Sequence, residues 1–574
     1  MSGRYAPTKE QAAVISHDRS AFVSACPGAG KTRTMVERAR LLLSDGRDRR
    51  GVAFLSFTNA AVDELEVRLR RFGILPTPLF PSFIGTFDRF LWQFFVAPFG
   101  MEGCDVSPRL IPDKGDWVVR PHETMQGLPL KAFDRGTGRL NRTIAADEGF
   151  DLDRDATRHE ALALRMLASA RSKGHVDFED VRTCVKGRLA DAAFAGRLGK
   201  ALAARFKEFF VDEAQDCNPD DLGIVQWLRS SGLIVKVICD PNQSIYQFRG
   251  GVTDQLHSFA ERFEDGDRLP MSGNFRSTPA ICAAIAGLRP PSARGVPDRA
   301  LGNNKDDPTA VHVISYSGTS VPAAIGVKFG ELVKPLGIAV GDAPILASRL
   351  QSAARAIGHP VPKDTMHKTL VLAKAVTDFH FSLNLGTRRE ALSNLHRAIL
   401  LVQGRIENMG AYHRYILAEG LEDGHWRPAI IDAAAALKFL PGMSADAWLD
   451  KARSALESGI AISGGIRQRL KSSTDLLAAL AIPSVDAHPI RTIHSAKGME
   501  FPAVCVVMTS TKAGGILEHL EGAAHPEFAE DTRKIYVAAS RAEKLLVIAT
   551  PKSRAKRLET LLQGNGCPTV RHDI

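Results

Sequence analysis

One octapeptide limits what this chain of 574 residues can fold into. Ala25-Cys26-Pro27-Gly28-Ala29-Gly30-Lys31-Thr32 follows a short apolar run, Ala21–Ala25, and precedes a helix-like stretch over 34–43. A glycine-rich turn between a strand and a helix is a phosphate-binding loop. Gly28 and Gly30 let backbone N–H groups close around phosphate oxygens at the positive end of the following helix. Lys31 is placed to neutralise the β- and γ-phosphates, and Thr32 to offer a hydroxyl to Mg2+. Cys26, Pro27, Ala29 and Arg33 complete the loop and its exit. Ala25 stands where the general pattern has its first glycine.

A second segment supplies the carboxylates that such a loop needs. Phe209-Phe210-Val211-Asp212-Glu213-Ala214-Gln215-Asp216 reads as an apolar strand ending in acid. Asp212 at the strand tip suits a direct or water-mediated hold on Mg2+. Glu213 suits the base that orients and deprotonates an attacking water. Together the two segments predict hydrolysis of a nucleoside triphosphate.

Similar β-branched runs occur at 52–57, 233–240, 504–508 and 545–550, separated by long stretches rich in Ala, Leu and Arg. Strands alternating with helices predict parallel α/β sheets. Two regions, roughly 91–205 and 366–484, lack the strand signal and read as mainly helical insertions. The Pro-, Gly- and Asp-rich stretch 289–308 reads as a surface loop.

Composition narrows the class further. With 44% apolar and 24% charged residues, the chain can bury large cores, and its length predicts three or four domains. No apolar run approaches the ~20 residues of a membrane helix, and the N-terminus lacks a signal-peptide pattern, so a cytoplasmic protein with no membrane contact is expected. The 8 cysteines form no CxxC pair, which argues against a structural zinc site or a disulfide framework. A formal charge of +10 favours a polyanionic partner.

Further segments carry a resemblance. Pro7-Thr8-Lys9-Glu10-Gln11 precedes the phosphate loop, and the stretch FLSFTNAAVDE from Phe54, Gly85-Thr86-Phe87-Asp88-Arg89-Phe90, DPNQSIYQFRG from Asp240, Asn274-Phe275-Arg276-Ser277, IRTIHSAKGMEF from Ile490 and DTRKIYVAASRA from Asp531 follow it in order. This series resembles superfamily 1A DNA helicases of the UvrD/Rep/PcrA type. In that comparison Asp88 stands where the family usually has His, and Phe248 where it commonly has Trp.

The resemblance implies a role for each residue. Gln11 would read adenine, Phe275 would stack on it, and Glu500 would lie near the ribose. Gln243 would sense the γ-phosphate, while Arg276 and Arg541 would meet the negative charge that develops during transfer. Phe57, Thr58, Thr86, Phe248, Arg249 and His494 would touch single-stranded DNA; stacking on any base suits a motor that ignores sequence. ATP and Mg2+ are the implied substrate and cofactor.

The same resemblance implies two RecA-like parallel-sheet P-loop NTPase cores, each with a mainly helical insertion. Core 1A would comprise 1–90 and 206–273, with insertion 1B at 91–205. Core 2A would comprise 274–365 and 485–574, with a reduced insertion 2B at 366–484. The expected activity is an ATP-dependent 3′→5′ helicase acting on single-stranded DNA and on duplexes with single-stranded tails. The short stretch after the last motif leaves no room for a fused nuclease domain, so any cleavage would come from a partner protein. The alternative expectation is a DNA-gated ATPase subunit of an anti-phage complex, as in the compact GajB-like (Gabija) subset.

Overall fold

The computed structural model describes the chain apart from residues 1–5, 45–46, 75–78, 102–103, 105, 113, 148, 151–155, 246–252, 296–297, 360–366, 383–387, 461–464, 482–486 and 524. It divides into two compact units. The first comprises Met1–Phe90, Arg188–His359 and Ser484–Ile574; the second comprises Leu91–Gly187 and Pro360–Pro483.

The first unit holds two parallel sheets of six strands each. In one, the strands are β1 (Ala21–Ala25), β2 (Gly51–Ser56), β3 (Phe83–Thr86), β4 (Phe206–Val211), β5 (Ile234–Cys239) and β6 (Arg268–Met271), in the order β6-β1-β5-β4-β2-β3. In the other they are β7 (Val311–Tyr316), β8 (Ile345–Ala347), β9 (Ile490–Thr492), β10 (Phe501–Val507), β11 (Ala542–Pro551) and β12 (Thr569–Asp573), in the order β9-β8-β10-β11-β7-β12. These are the two α/β cores, and both are doubly covered.

Successive side chains of a strand face opposite sides of its sheet. In β10, Val504 and Val506 enter one hydrophobic cluster while Ala503, Cys505 and Val507 enter another. In β11 the same alternation sorts Leu546 and Ile548 from Leu545, Val547 and Ala549. Burial on both faces explains why these strands read as continuous apolar runs.

Two readings of the sequence are corrected. The stretch 289–308 is not only a surface loop. Arg299–Ala300 forms a short strand parallel to Gly273–Asn274, and Arg289 pairs with Asp298, both side chains being buried. The region 91–205 also carries strands: Arg109–Leu110 pairs with His175–Val176, and Val118–Val119 with Leu128–Pro129. Two residues are too few to show a period.

Within the second unit, helices such as Thr157–Ser172 and Phe178–Ala190 accompany one core, around Trp117, Leu128, Leu167 and Ala170. A separate core forms where Lys368–Ser382, Arg388–Gln403 and Ala445–Leu456 pack around Trp448. Leu417, from the helix Tyr412–Ala418, packs against the first of these cores. Among the described residues no helix is long and apolar enough to cross a membrane.

Candidate active site

The carboxyl ends of parallel strands are where an open α/β sheet binds ligands. Here β1 runs directly into the phosphate loop, and β4 ends one residue before Asp212. The loop turns on two left-handed glycines, Gly28 at φ +71° and Gly30 at φ +75°, and Gly30 caps the helix Lys31–Leu43. Gly28 also sits against the second core. A Cβ there would fall 2.5 Å from the Asn274 side-chain oxygen and 2.8 Å from the Arg276 Cβ, and the Gly28 carbonyl accepts the Phe275 N–H at 2.9 Å.

A cleft of 350 Å³ opens at this junction. Pro27, Gly28, Ala29, Gly30, Lys31, Thr32 and Arg33 line it, with Asp212, Glu213 and Gln243 from the same sheet's strand ends, and Phe275, Arg276, Glu500 and Arg541 from the second core. The structure therefore brings together most of the residues assigned to nucleotide binding and turnover. Cys26 lies just behind the wall; its N–H donates to the Met271 carbonyl at 2.9 Å, and burial pushes its thiol up, out of the reactive range. Gln11 is buried beside the loop. Its side-chain N–H donates to the Ala29 carbonyl at 3.0 Å, while its carbonyl oxygen accepts the Thr8 N–H at 3.1 Å in a capping box.

Charge is organised in layers. Lys31 donates to Glu213 at 2.9 Å. Burial opposes the ammonium charge, but Glu213 and Asp212 outweigh it and hold the Lys31 pKa above its ordinary value. Burial likewise opposes the Glu213 carboxylate, yet Lys31 and Lys497 bring its pKa down to about 2. Glu213 has a left-handed backbone at φ 55°, a conformation that costs a non-glycine residue energy and recurs at functional sites. That turn follows directly on Asp212, whose carboxylate accepts the Glu213 N–H at 2.9 Å.

On the far wall, Arg541 is 3% exposed and donates to Gln243 at 2.7 Å. Burial first, and the neighbouring Arg276 next, lower its pKa to about 10. Arg276 donates to the Ser540 carbonyl at 2.8 Å and forms an ion pair with Glu500. Both guanidiniums are thus positioned by protein acceptors at the cleft. Phe275 is 38% exposed, which leaves a ring face open.

Several cleft residues were not singled out from sequence. Lys497 pairs with Asp216 at 2.6 Å, linking the end of β4 to the segment after β9. Burial, working against Lys497, raises the Asp216 pKa to about 6. Tyr536 donates to Asp240 at 3.0 Å, and Asp240 accepts from Gln243 at 2.9 Å. Arg533 donates to the Ser244 carbonyl at 2.7 Å. All lie inside the quoted motif strings.

The residues assigned to DNA divide differently. Phe57 follows β2 and stacks on Phe87 with ring centroids 5.4 Å apart. Thr86 ends the adjacent β3, in register with Ser56, and its hydroxyl accepts the Arg89 N–H at 3.1 Å. Asp88 lies in the first turn of the helix Phe87–Leu91. Thr58 caps the helix Asn59–Arg71 and lines the nucleotide cleft. His494 hydrogen-bonds the Ile245 carbonyl at 3.1 Å, and burial lowers its pKa. Phe248 and Arg249 lie outside the described residues.

Among the described residues no cluster of three or more His, Cys, Asp or Glu side chains is arranged to hold a metal by itself. Thr32 and Asp212, two hard oxygen donors on one cleft, fit an ion that completes its shell with phosphate oxygens and water, as Mg2+ does.

A phosphate loop on one parallel sheet, a second parallel sheet across a shared cleft and arginines from that second core are the arrangement of a helicase-class ATPase. The chain belongs to the UvrD-like helicase family: the UvrD/REP helicase N-terminal domain matches residues 7–98 and 140–264, and the UvrD-like helicase C-terminal domain matches 471–553. It is 22% identical to YjcD of Bacillus subtilis over 95% of this chain and 79% of that protein. It is 22% identical to the Gabija protein GajB of Bacillus cereus over 96% of this chain and 97% of that protein. It is 26% identical to the ATP-dependent DNA helicase UvrD2 of Mycobacterium tuberculosis, over 50% of this chain and 43% of the relative.

Proposed function

We propose that the chain hydrolyses ATP between its two cores and uses the cycle to move 3′→5′ along single-stranded DNA, separating duplexes that carry a single-stranded tail. The observation that supports this most is the shared cleft: Lys31, Glu213 and Gln243 from one core and Arg276 and Arg541 from the other line it together. Phosphate would enter against the loop N–H groups and displace Glu213 from Lys31, freeing the carboxylate to orient water. Thr32 and Asp212 would hold Mg2+, which supplies neutralising charge at the phosphates. Gln11 and Phe275 would bracket the adenine, and Glu500, beside Arg276, would reach the ribose. Arg276 and Arg541 would stabilise the departing phosphate from the second core, so closure of the cleft and turnover are one event. Phe57 and Thr86, at neighbouring strand ends, would contact the strand being moved; Phe248, Arg249 and His494 would add to that track.

The full-length match to GajB favours a second reading, in which the chain is a DNA-gated ATPase subunit working with a separate nuclease and unwinding little alone. Both readings require the same site. Lys31→Ala is expected to reduce ATP hydrolysis about a hundredfold or more. Glu213→Gln is expected to bind ATP normally while turnover falls to a similar extent. Filter binding and phosphate release measure the two. Full turnover in either variant would contradict the site.

A further inference from the structure

A further cavity, open to solvent and of 830 Å³, lies within the second unit. Its floor is apolar and aromatic: Trp117, Leu162, Met166, Ile406 and Leu417 line it, and His175 meets the Trp117 ring edge-on at 6.3 Å. Its rim is cationic. Arg109, Arg165, Lys173, Arg405 and Arg414 line it, and Glu407 is the single carboxylate among the described lining residues. None of the five cations pairs with a carboxylate among the described residues. Arg414 lies over the Trp117 ring at 5.2 Å, and Arg405 reaches the Tyr415 hydroxyl at 3.5 Å.

Two observations bear on the kind of ligand this cavity suits. The Trp117 indole N–H is buried with no hydrogen-bond partner among the described residues, an uncommon state for a buried donor. The field at the cavity is also strongly positive. Burial first, then Lys173, Arg109, Lys114 and Arg414, lower the His175 pKa, so the imidazole there is neutral at physiological pH. Cations that rim an apolar floor without a carboxylate partner among the described residues suit an amphipathic anion. Guanidinium forks match phosphate bidentately, and an aromatic floor beside them matches a planar ring. The volume falls within the range of small-molecule sites.

We propose that this cavity is a second nucleotide site: it binds a free nucleoside phosphate, with the base on the Trp117 floor and the phosphates among Arg109, Arg165, Lys173 and Arg414. The site is separate from the phosphate-loop cleft and does not depend on the activity assigned to that cleft. A volume of this size matches one or two nucleotides.

Calorimetric titration with Mg-ADP tests it. The wild-type chain is expected to bind two ADP, Lys31→Ala one, and an Arg165→Glu, Lys173→Glu double variant one. Both residues of that double variant are exposed, so the fold is spared. Arg158→Glu, exposed on the same helix and outside the cavity lining, keeps both events. The charge reversals are expected to weaken the cavity event by about tenfold or more. A wild-type stoichiometry of one, abolished by Lys31→Ala, would overturn the proposal, as would a second event indifferent to the charge reversals. An ADP profile unchanged in the double variant alongside weakened binding of a single-stranded oligonucleotide would also overturn it, making the cavity a polynucleotide contact. A single wild-type event, retained in Lys31→Ala and lost in the double variant, would uphold the cavity while contradicting the phosphate-loop reading.

Discussion

At the scale of single residues, the site is a set of opposed charges held in check before substrate arrives. Glu213 shows this most directly. Its pKa is about 2 in the folded chain against an ordinary 4.5, so the folded state binds this proton less readily than the unfolded one. A depressed carboxylate contributes stability that is present above pH 4.5 and lost as pH falls toward 2. Glu213→Gln is therefore expected to unfold with less dependence on pH in that window than the parent, read from urea midpoints. Parallel curves would contradict the pairing with Lys31. The Asp216–Lys497 pair has the opposite sign. Lys497→Met leaves a buried carboxyl without its ammonium, a loss of up to about 3–5 kcal/mol. Asp216, with its pKa already raised to about 6, escapes part of that loss by taking a proton. The destabilisation is expected to be greater at pH 8 than at pH 6, and a second change, Asp216→Asn, to recover most of it. Thermal melting of the single and double variants measures both. An effect independent of pH would refute the pairing.

At the scale of elements, the phosphate loop and the strand tips were legible in the sequence because their demands are local. Only glycine accepts the backbone at 28 and 30, and only a run of apolar residues fills a strand covered on both faces. The start of β4 was not legible, since Lys207 and Glu208 look like surface charge. Glu208 is fully buried and paired with Arg38 at 2.8 Å, a partner 170 residues away that no local pattern announces. The strand at Arg299–Ala300 was hidden for a similar reason: it pairs with the short Gly273–Asn274 segment. The cleft roles of Lys497, Asp216 and Tyr536 depend on the approach of two cores, so composition and spacing could not give them. Gly28 is where loop and second core meet. Gly28→Ala would demand a left-handed alanine and a Cβ 2.5 Å from Asn274. Nucleotide affinity is expected to fall about tenfold or more, since such strain costs about 1–3 kcal/mol. Fluorescent-nucleotide titration checks it, and unchanged affinity would contradict the packing of the loop.

At the scale of the whole molecule, two parallel sheets share one unit with the cleft between them, and the inserted segments form the other. A chain carrying +10 and reading phosphate backbones should lose DNA affinity steeply as salt rises, through release of counterions. A flat salt dependence would argue against backbone contacts. The central claim is that hydrolysis at the cleft is coupled to a DNA strand. The direct measurement is ATP hydrolysis by the purified chain with and without single-stranded DNA, run beside strand separation of duplexes bearing a 3′ or a 5′ tail. Hydrolysis stimulated by single strands, with separation of the 3′-tailed duplex, is the predicted result; stimulation without separation would select the gated-subunit reading. Hydrolysis indifferent to DNA would contradict the account.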